Sequence, residues 1–161
     1  VQREIARTID RLCDCKVDDS PCGIDGCSVP TWAIPLRNLA LGFARLTQNE
    51  GAGRIVESVR NHPFMVAGAG CFDTVVMGEV PEVFIKTGAE GVYCGCVPAT
   101  GIGIAVKCDD GAKRGASSLM ALLLARHGGL QDSARVKLLA HSRSELRNWN
   151  KIAVGTIRAI T

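Results

Sequence analysis

Lys86-Thr87-Gly88 follows directly on the apolar run Val83-Phe84-Ile85 and is followed by Ala89, so it stands where a strand would end and reach solvent. A lysine so placed can polarise a hydroxyl or take its proton, and the backbone N–H beyond a glycine can approach a developing oxyanion. The same lysine is equally well explained as a strand-end side chain that lays its stem on apolar surface and keeps its ammonium in water. A second group lies in Gly23-Ile24-Asp25-Gly26-Cys27-Ser28-Val29-Pro30, where a carboxylate precedes a thiol by two residues in a Gly- and Pro-punctuated loop. A thiolate with a carboxylate nearby suits zinc. Taken alone, Cys27 also fits a small buried hydrophobe.

Other chemistries find no support. Neither Gly68-Ala69-Gly70 nor Gly101-Ile102-Gly103 continues to the third glycine of a dinucleotide fingerprint, and Gly-Lys-Ser/Thr and Gly-x-Ser-x-Gly do not occur. His62, His127 and His141 are far apart and lack metal-ligand spacing. The eight cysteines make about 5% of the chain, below the composition of a disulfide scaffold, and most of them are expected to be reduced. They form two Cys-x-Cys pairs and no Cys-x-x-Cys. The thiols of Cys13 with Cys15, and of Cys94 with Cys96, are expected to point in different directions and so not to chelate together.

The elements that must carry these groups are read from periodicity. Val1, Ile5, Ile9 and Leu12 predict an amphipathic helix to about residue 13. Cys15 to Pro30 has no periodicity and reads as an ordered loop. Pro35 stands at a first helical position, with Leu36, Leu39, Ala40, Phe43 and Leu46 on one face of a helix ending before Asn49. Short helices are expected over 52–61 and around 73–77. Val83-Phe84-Ile85, Gly91 to Val97 and Ile102 to Cys108 read as a three-stranded antiparallel meander. A long helix closed by Gly128-Gly129, a helix over 133–141 and a terminal strand or arm around Ile152 to Ile157 complete the order. Helices, a meander and helices again argue for an α+β fold in which helices pack an antiparallel sheet.

Composition sets the class. The 161 residues are 47% hydrophobic and 22% charged, which describes one ordinary globular segment over 1–161. A net charge of +3 gives no electrostatic footprint for nucleic acid or an anionic membrane, so neither is expected as a partner. No apolar stretch approaches the ~20 residues of a membrane span. A cytoplasmic protein is expected. The chain begins at Val1, already inside the helical pattern, and is expected to be part of a longer protein.

Lys86-Thr87-Gly88 by itself resembles the Lys-Thr-Gly element of penicillin-binding proteins and β-lactamases. Taken with the longer segments Gly23 to Pro30 and Phe84-Ile85-Lys86-Thr87-Gly88-Ala89-Glu90-Gly91-Val92-Tyr93, the chain resembles the rhizobial-type L-asparaginases, whose signatures are Asp-Gly-Cys-x-x-Pro and Lys-x-Gly-Ala-Glu-Gly-Val. His62-Pro63, Val66-Ala67-Gly68, Asp73-Thr74-x-x-Met77, Gly101 to Ala105 and Val154-Gly155-x-Ile157 fit the same family, so the similarity runs the whole length. Cys71 departs from an expected Arg, and Phe64-Met65 from an expected Glu-Leu.

The resemblance implies a serine amidohydrolase of β-lactamase-like, penicillin-binding-protein-like fold that converts L-asparagine to L-aspartate and ammonia. It implies that this chain is the C-terminal half of that fold. The N-terminal half would supply a Ser-x-x-Lys nucleophile, a second serine and further metal ligands, and no serine here is followed three residues later by lysine. Carried over by position, Lys86 is the second catalytic lysine, Asp25 an active-site carboxylate and Ala89 the oxyanion donor. Thr87, Gly88 and Glu90 would contact substrate, and Cys27 would be one ligand of a single zinc ion. A homodimer is also implied. Two alternatives stand beside this: a penicillin-recognising acyl transferase or hydrolase, and a non-catalytic binding module that kept the fold. The 161-residue chain alone is expected to be inactive.

Overall fold

The computed structural model describes residues 1–17 and 21–160. At its centre is the expected meander: β3 (Phe84–Thr87), β4 (Val92–Val97) and β5 (Ile102–Lys107) pair antiparallel in the order β3-β4-β5. Lys86 lies opposite Cys94 and Thr87 opposite Tyr93. β4 is buried from Tyr93 to Val97, which requires cover on both faces. Alternation along the strands sorts the side chains accordingly. Ile85, Tyr93, Val97, Ile104 and Val106 join Ala116, Met120 and Leu124 of α6 (Lys113–His127) in the larger core. Phe84 and Cys96 turn the other way, toward Phe43 and Leu46 of α2 (Leu36–Leu46) and Val56 of α3 (Glu50–Asn61).

Helix α2 approaches the sheet more closely than side chains on both surfaces would permit. A Cβ on Gly103 would lie 2.0 Å from the Ala40 carbonyl oxygen and 2.6 Å from the Ala44 nitrogen, so bare backbone of β5 meets bare backbone of α2. On the opposite side of α2, a Cβ on Gly42 would lie 2.6 Å from the Cys13 Sγ of α1 (Gln2–Cys13). Polar ties lock that second contact. Asn38 donates from Nδ2 to the carbonyls of Cys13 (2.8 Å) and Asp14 (3.0 Å), and Arg45 donates from Nη1 to those of Arg11 and Leu12 (both 3.1 Å). These four carbonyls belong to the end of α1, where a helix leaves its acceptors unpaired.

The other face is covered by α5 (Phe72–Glu79), α6 and α7 (Asp132–His141). Val76, Met77 and Val80 bring α5 onto the core, and Leu138 does the same for α7. Lys137 donates to the Glu79 carbonyl at 2.8 Å and His141 Nε2 lies 2.8 Å from Glu79 Oε2, tying α7 to the end of α5. No helix of the described residues is long and apolar enough to cross a membrane.

Several elements differ from expectation. Helix α3 starts at Glu50, two residues early, because the Asn49 side chain accepts the N–H groups of Gly51 and Ala52 and caps it. Pro35 stands just outside α2 rather than as its first residue. The short α4 (Pro63–Ala67) has too few residues to show a period. The loop from Cys15 to Pro30 contains β1 (Cys22–Ile24), which pairs with β2 (Pro30–Trp32); residues 18–20 of that loop lie outside the described residues. The terminal strand β7 (Ala153–Arg158) pairs with β6 (Arg143–Arg147), a run of exposed, mostly charged residues with no alternation to betray it. Cys94 and Cys96 share a face of β4, as residues two apart on a strand must, so the expected divergence of these thiols was wrong.

Gly103→Ala is expected to destabilise the fold by about 3 kcal/mol, the upper end of overpacking, because a helix backbone rather than a flexible side chain would have to move. Urea or thermal unfolding measures it. An unchanged midpoint would mean that α2 does not sit on β5 in solution.

Candidate active site

The expected site residues of the Lys-Thr-Gly segment are contiguous at the end of β3 and in the turn to β4. Lys86 is exposed, and its Nζ donates to the Thr87 carbonyl at 2.5 Å. Gly88 N–H donates to the Val92 carbonyl at 2.8 Å, which closes the turn. Ala89 is exposed, and its N–H has no acceptor among the described residues. Glu90 takes a left-handed conformation with φ of 55°, and its carbonyl accepts Lys107 Nζ at 2.6 Å. This edge of the sheet therefore presents a cation and an open backbone donor within three residues of each other.

Thr87 faces inward, unlike Lys86. Its N–H is directed away from β4 and donates to Asp73 Oδ1 at 2.7 Å, while the hydroxyl of Tyr93 donates to Asp73 Oδ2 at 3.0 Å. Asp73 is 1% exposed, in the first turn of α5, where a carboxylate is favoured by the helix dipole. Thr74 beside it donates from Oγ1 to the Gly68 carbonyl at 2.7 Å and holds the start of α5. The Tyr93 ring packs edge-on against Phe72, with centroids 5.4 Å apart. A pocket of about 400 Å3 opens here, lined by Cys71, Asp73, Thr87, Tyr93, Lys113 and Arg114 among others. Asp73 and Tyr93 carry no role in the sequence reading, although one signal was present: a carboxylate just ahead of the apolar run Val75-Val76-Met77.

Asp25 and Cys27 belong to a different element, the turn between β1 and β2. Asp25 Oδ1 accepts the N–H groups of Cys27 (2.8 Å) and Val29 (3.0 Å), and Oδ2 accepts the Thr31 hydroxyl (3.4 Å). The Val29 and Cys27 N–H groups hold its carboxyl below the usual aspartate range. Cys27 is exposed at the tip of this turn. Among the described residues, no hydrogen bond or ion pair joins the turn to β3, and no group of three His, Cys, Asp or Glu could hold a metal ion. At this turn the described residues thus offer one exposed thiol, beside a carboxylate that accepts hydrogen bonds from the turn, and no complete metal donor set. Burial pushes the Cys94 and Cys96 thiols up to about 12.

The family model described as L-asparaginase II matches residues 1–159, almost the full length. No curated protein matches the chain.

Burial also pushes the Tyr93 hydroxyl up to about 12, with the Asp73 charge adding to it. Tyr93 is the single tyrosine of these residues, so its ionisation is expected as one ultraviolet absorbance step near that pH, absent in Tyr93→Phe. Because the folded state holds the proton more tightly, this group's stabilisation is complete below pH ~10, the ordinary tyrosine value, and is lost as pH rises toward about 12. A step at ~10 would put the hydroxyl in water rather than on Asp73.

Proposed function

The chain belongs to the L-asparaginase II family, and on that premise we propose that it hydrolyses L-asparagine to L-aspartate and ammonia. It does so as the C-terminal half of a serine amidohydrolase with a β-lactamase-like fold. The observation that carries the reading is the edge of β3, where the exposed Lys86 ammonium and the open Ala89 N–H stand within one turn. Serine attack on an amide needs a base for the hydroxyl proton, a donor for the developing oxyanion and a proton for the departing nitrogen. The attacking serine and its partner serine come from the N-terminal half. Lys86 Nζ works with the second serine to move the hydroxyl proton toward the leaving ammonia. The Ala89 N–H donates to the oxyanion, and Thr87, Gly88 and Glu90 contact the substrate along the turn. The burial that a catalytic lysine requires is supplied by the N-terminal half, since this chain leaves Lys86 exposed.

Zinc is proposed as the cofactor, with Cys27 as its one ligand from this chain and the remaining ligands from the N-terminal half. When bound, it would supply positive charge beside the substrate. Asp25 acts by shaping the turn that presents Cys27, through the two N–H groups it accepts. The family resemblance supports a homodimer, and eight free cysteines suit a reducing, cytoplasmic setting.

In the full-length protein, Lys86→Met is expected to lower kcat by at least ~10²-fold with folding retained, the low end for a positioned general base. Activity within a few fold of the parent removes Lys86 from the mechanism. By elemental analysis the full-length protein is expected to hold about one equivalent of zinc, which Cys27→Ala loses. Full zinc content in that variant would leave Cys27 an ordinary exposed thiol.

A further inference from the structure

We infer that Asp73 is a positioning residue for Lys86, acting from α5 through the backbone of β3. The inference rests on the reading of Lys86 as the proton-transfer group. Among the described residues β3 pairs with β4 on one side only, so the N–H groups of alternate residues along its outer edge meet no strand there. Gly88 N–H turns inward to Val92, and Thr87 N–H therefore turns outward, where Asp73 Oδ1 accepts it at 2.7 Å. That N–H lies in the same peptide plane as the Lys86 carbonyl. Holding it fixes the backbone torsion of Lys86 that aims the strand end, and Lys86 Nζ itself rests on the next carbonyl, that of Thr87.

Asp73 is engaged at both oxygens, Oδ1 accepting Thr87 N–H and Oδ2 accepting the Tyr93 hydroxyl. Its position is over-determined. Val76 and Met77, on the same helix, are fully buried, Phe72 packs on Tyr93, and Thr74 anchors the preceding turn to Gly68. Tyr93 sits directly opposite Thr87 in the register, so a single carboxylate links both partners of one cross-strand pair to α5. A purely apolar helix face would stabilise the packing as well but would leave Thr87 N–H half-buried without an acceptor.

The test uses the full-length protein, with kcat and KM for ammonia release from L-asparagine and the thermal midpoint measured for each variant. Asp73→Ala is expected to lower kcat by about 10- to 100-fold with KM within about twofold, the scale of a displaced catalytic group. Asp73→Asn keeps an oxygen for Thr87 N–H and is expected to restore kcat to within about threefold of the parent. In the Lys86→Met background, Asp73→Ala is expected to add no further loss, since both act on one step. Parental kcat in a folded Asp73→Ala, equal impairment in Asp73→Asn, or a full additional loss beside Lys86→Met would each overturn the inference. Should Asp73→Ala not fold, Tyr93→Phe takes its place: it removes only the donor to Oδ2, with kcat expected about three- to tenfold down, and a parental kcat overturns the inference. Lys86→Met run alone separates the two readings. Parental kcat there ends the role of Lys86, and that of Asp73 with it, whereas a loss there with an unaffected Asp73→Ala ends only the role of Asp73.

Discussion

A Cβ on Gly103 would sit 2.0 Å from the Ala40 carbonyl oxygen, so α2 reaches the sheet only because β5 offers bare backbone at that point. The rest of that face follows from the contact. With α2 so low, Phe43 stacks on Phe84 at 5.9 Å between ring centroids, and Cys96 is sealed beneath them. Gly42 on the far side of α2 admits the Cys13 thiol, so α1 docks against α2 in the same way that α2 docks against β5. The hydrogen bonds from Asn38 and Arg45 then finish the α1 end that this docking would otherwise leave open.

The opposite face is held by volume rather than by close approach. Met77, Ile85, Met120, Leu124 and Leu138 are among the fully buried side chains, each contributing about 1.5–3 kcal/mol by removal from water. Within that apolar environment the buried Asp73 contributes differently. A hydrogen bond to a charged group nets about 1.5–3 kcal/mol, but that gain works against the cost of taking a carboxylate out of water. Apolar burial of Val76, Met77 and Val80 holds α5 on the sheet, and the carboxylate ties it to Thr87 of β3 and Tyr93 of β4. The residue so held, Thr87, is the chain neighbour of Lys86.

The turn bearing Cys27 contrasts with both faces. Its order is local, from Asp25 accepting two backbone N–H groups and a hydroxyl inside seven residues, and no described hydrogen bond carries it to the sheet. Such a turn can present a thiol with defined backbone geometry and still adjust as a body to whatever surface it meets.

What the sequence by itself determined was the elements with a clear apolar period. The meander, the long helix before Gly128 and the amphipathic helix over 2–13 follow from periodicity of apolar residues, and the Lys86 to Glu90 turn follows from its glycines and strand context. The strands β1, β2 and β6 escaped because three residues are too few to show a period, and the five of β6 are all exposed and mostly charged, with no alternation to read. The shared face of Cys94 and Cys96 was available from strand geometry, where residues two apart point the same way, but the sequence reading set them on opposite sides, and their burial came from the structure. Tertiary structure alone decided that Asp73, 14 residues from Thr87 in sequence, would accept its N–H, and that Tyr93 would complete the carboxylate. An edge N–H of a strand must find an acceptor when it is buried, but which helix brings one depends on how the two faces of the sheet are filled. That filling is a property of packed volumes across the whole chain, which no local pattern contains.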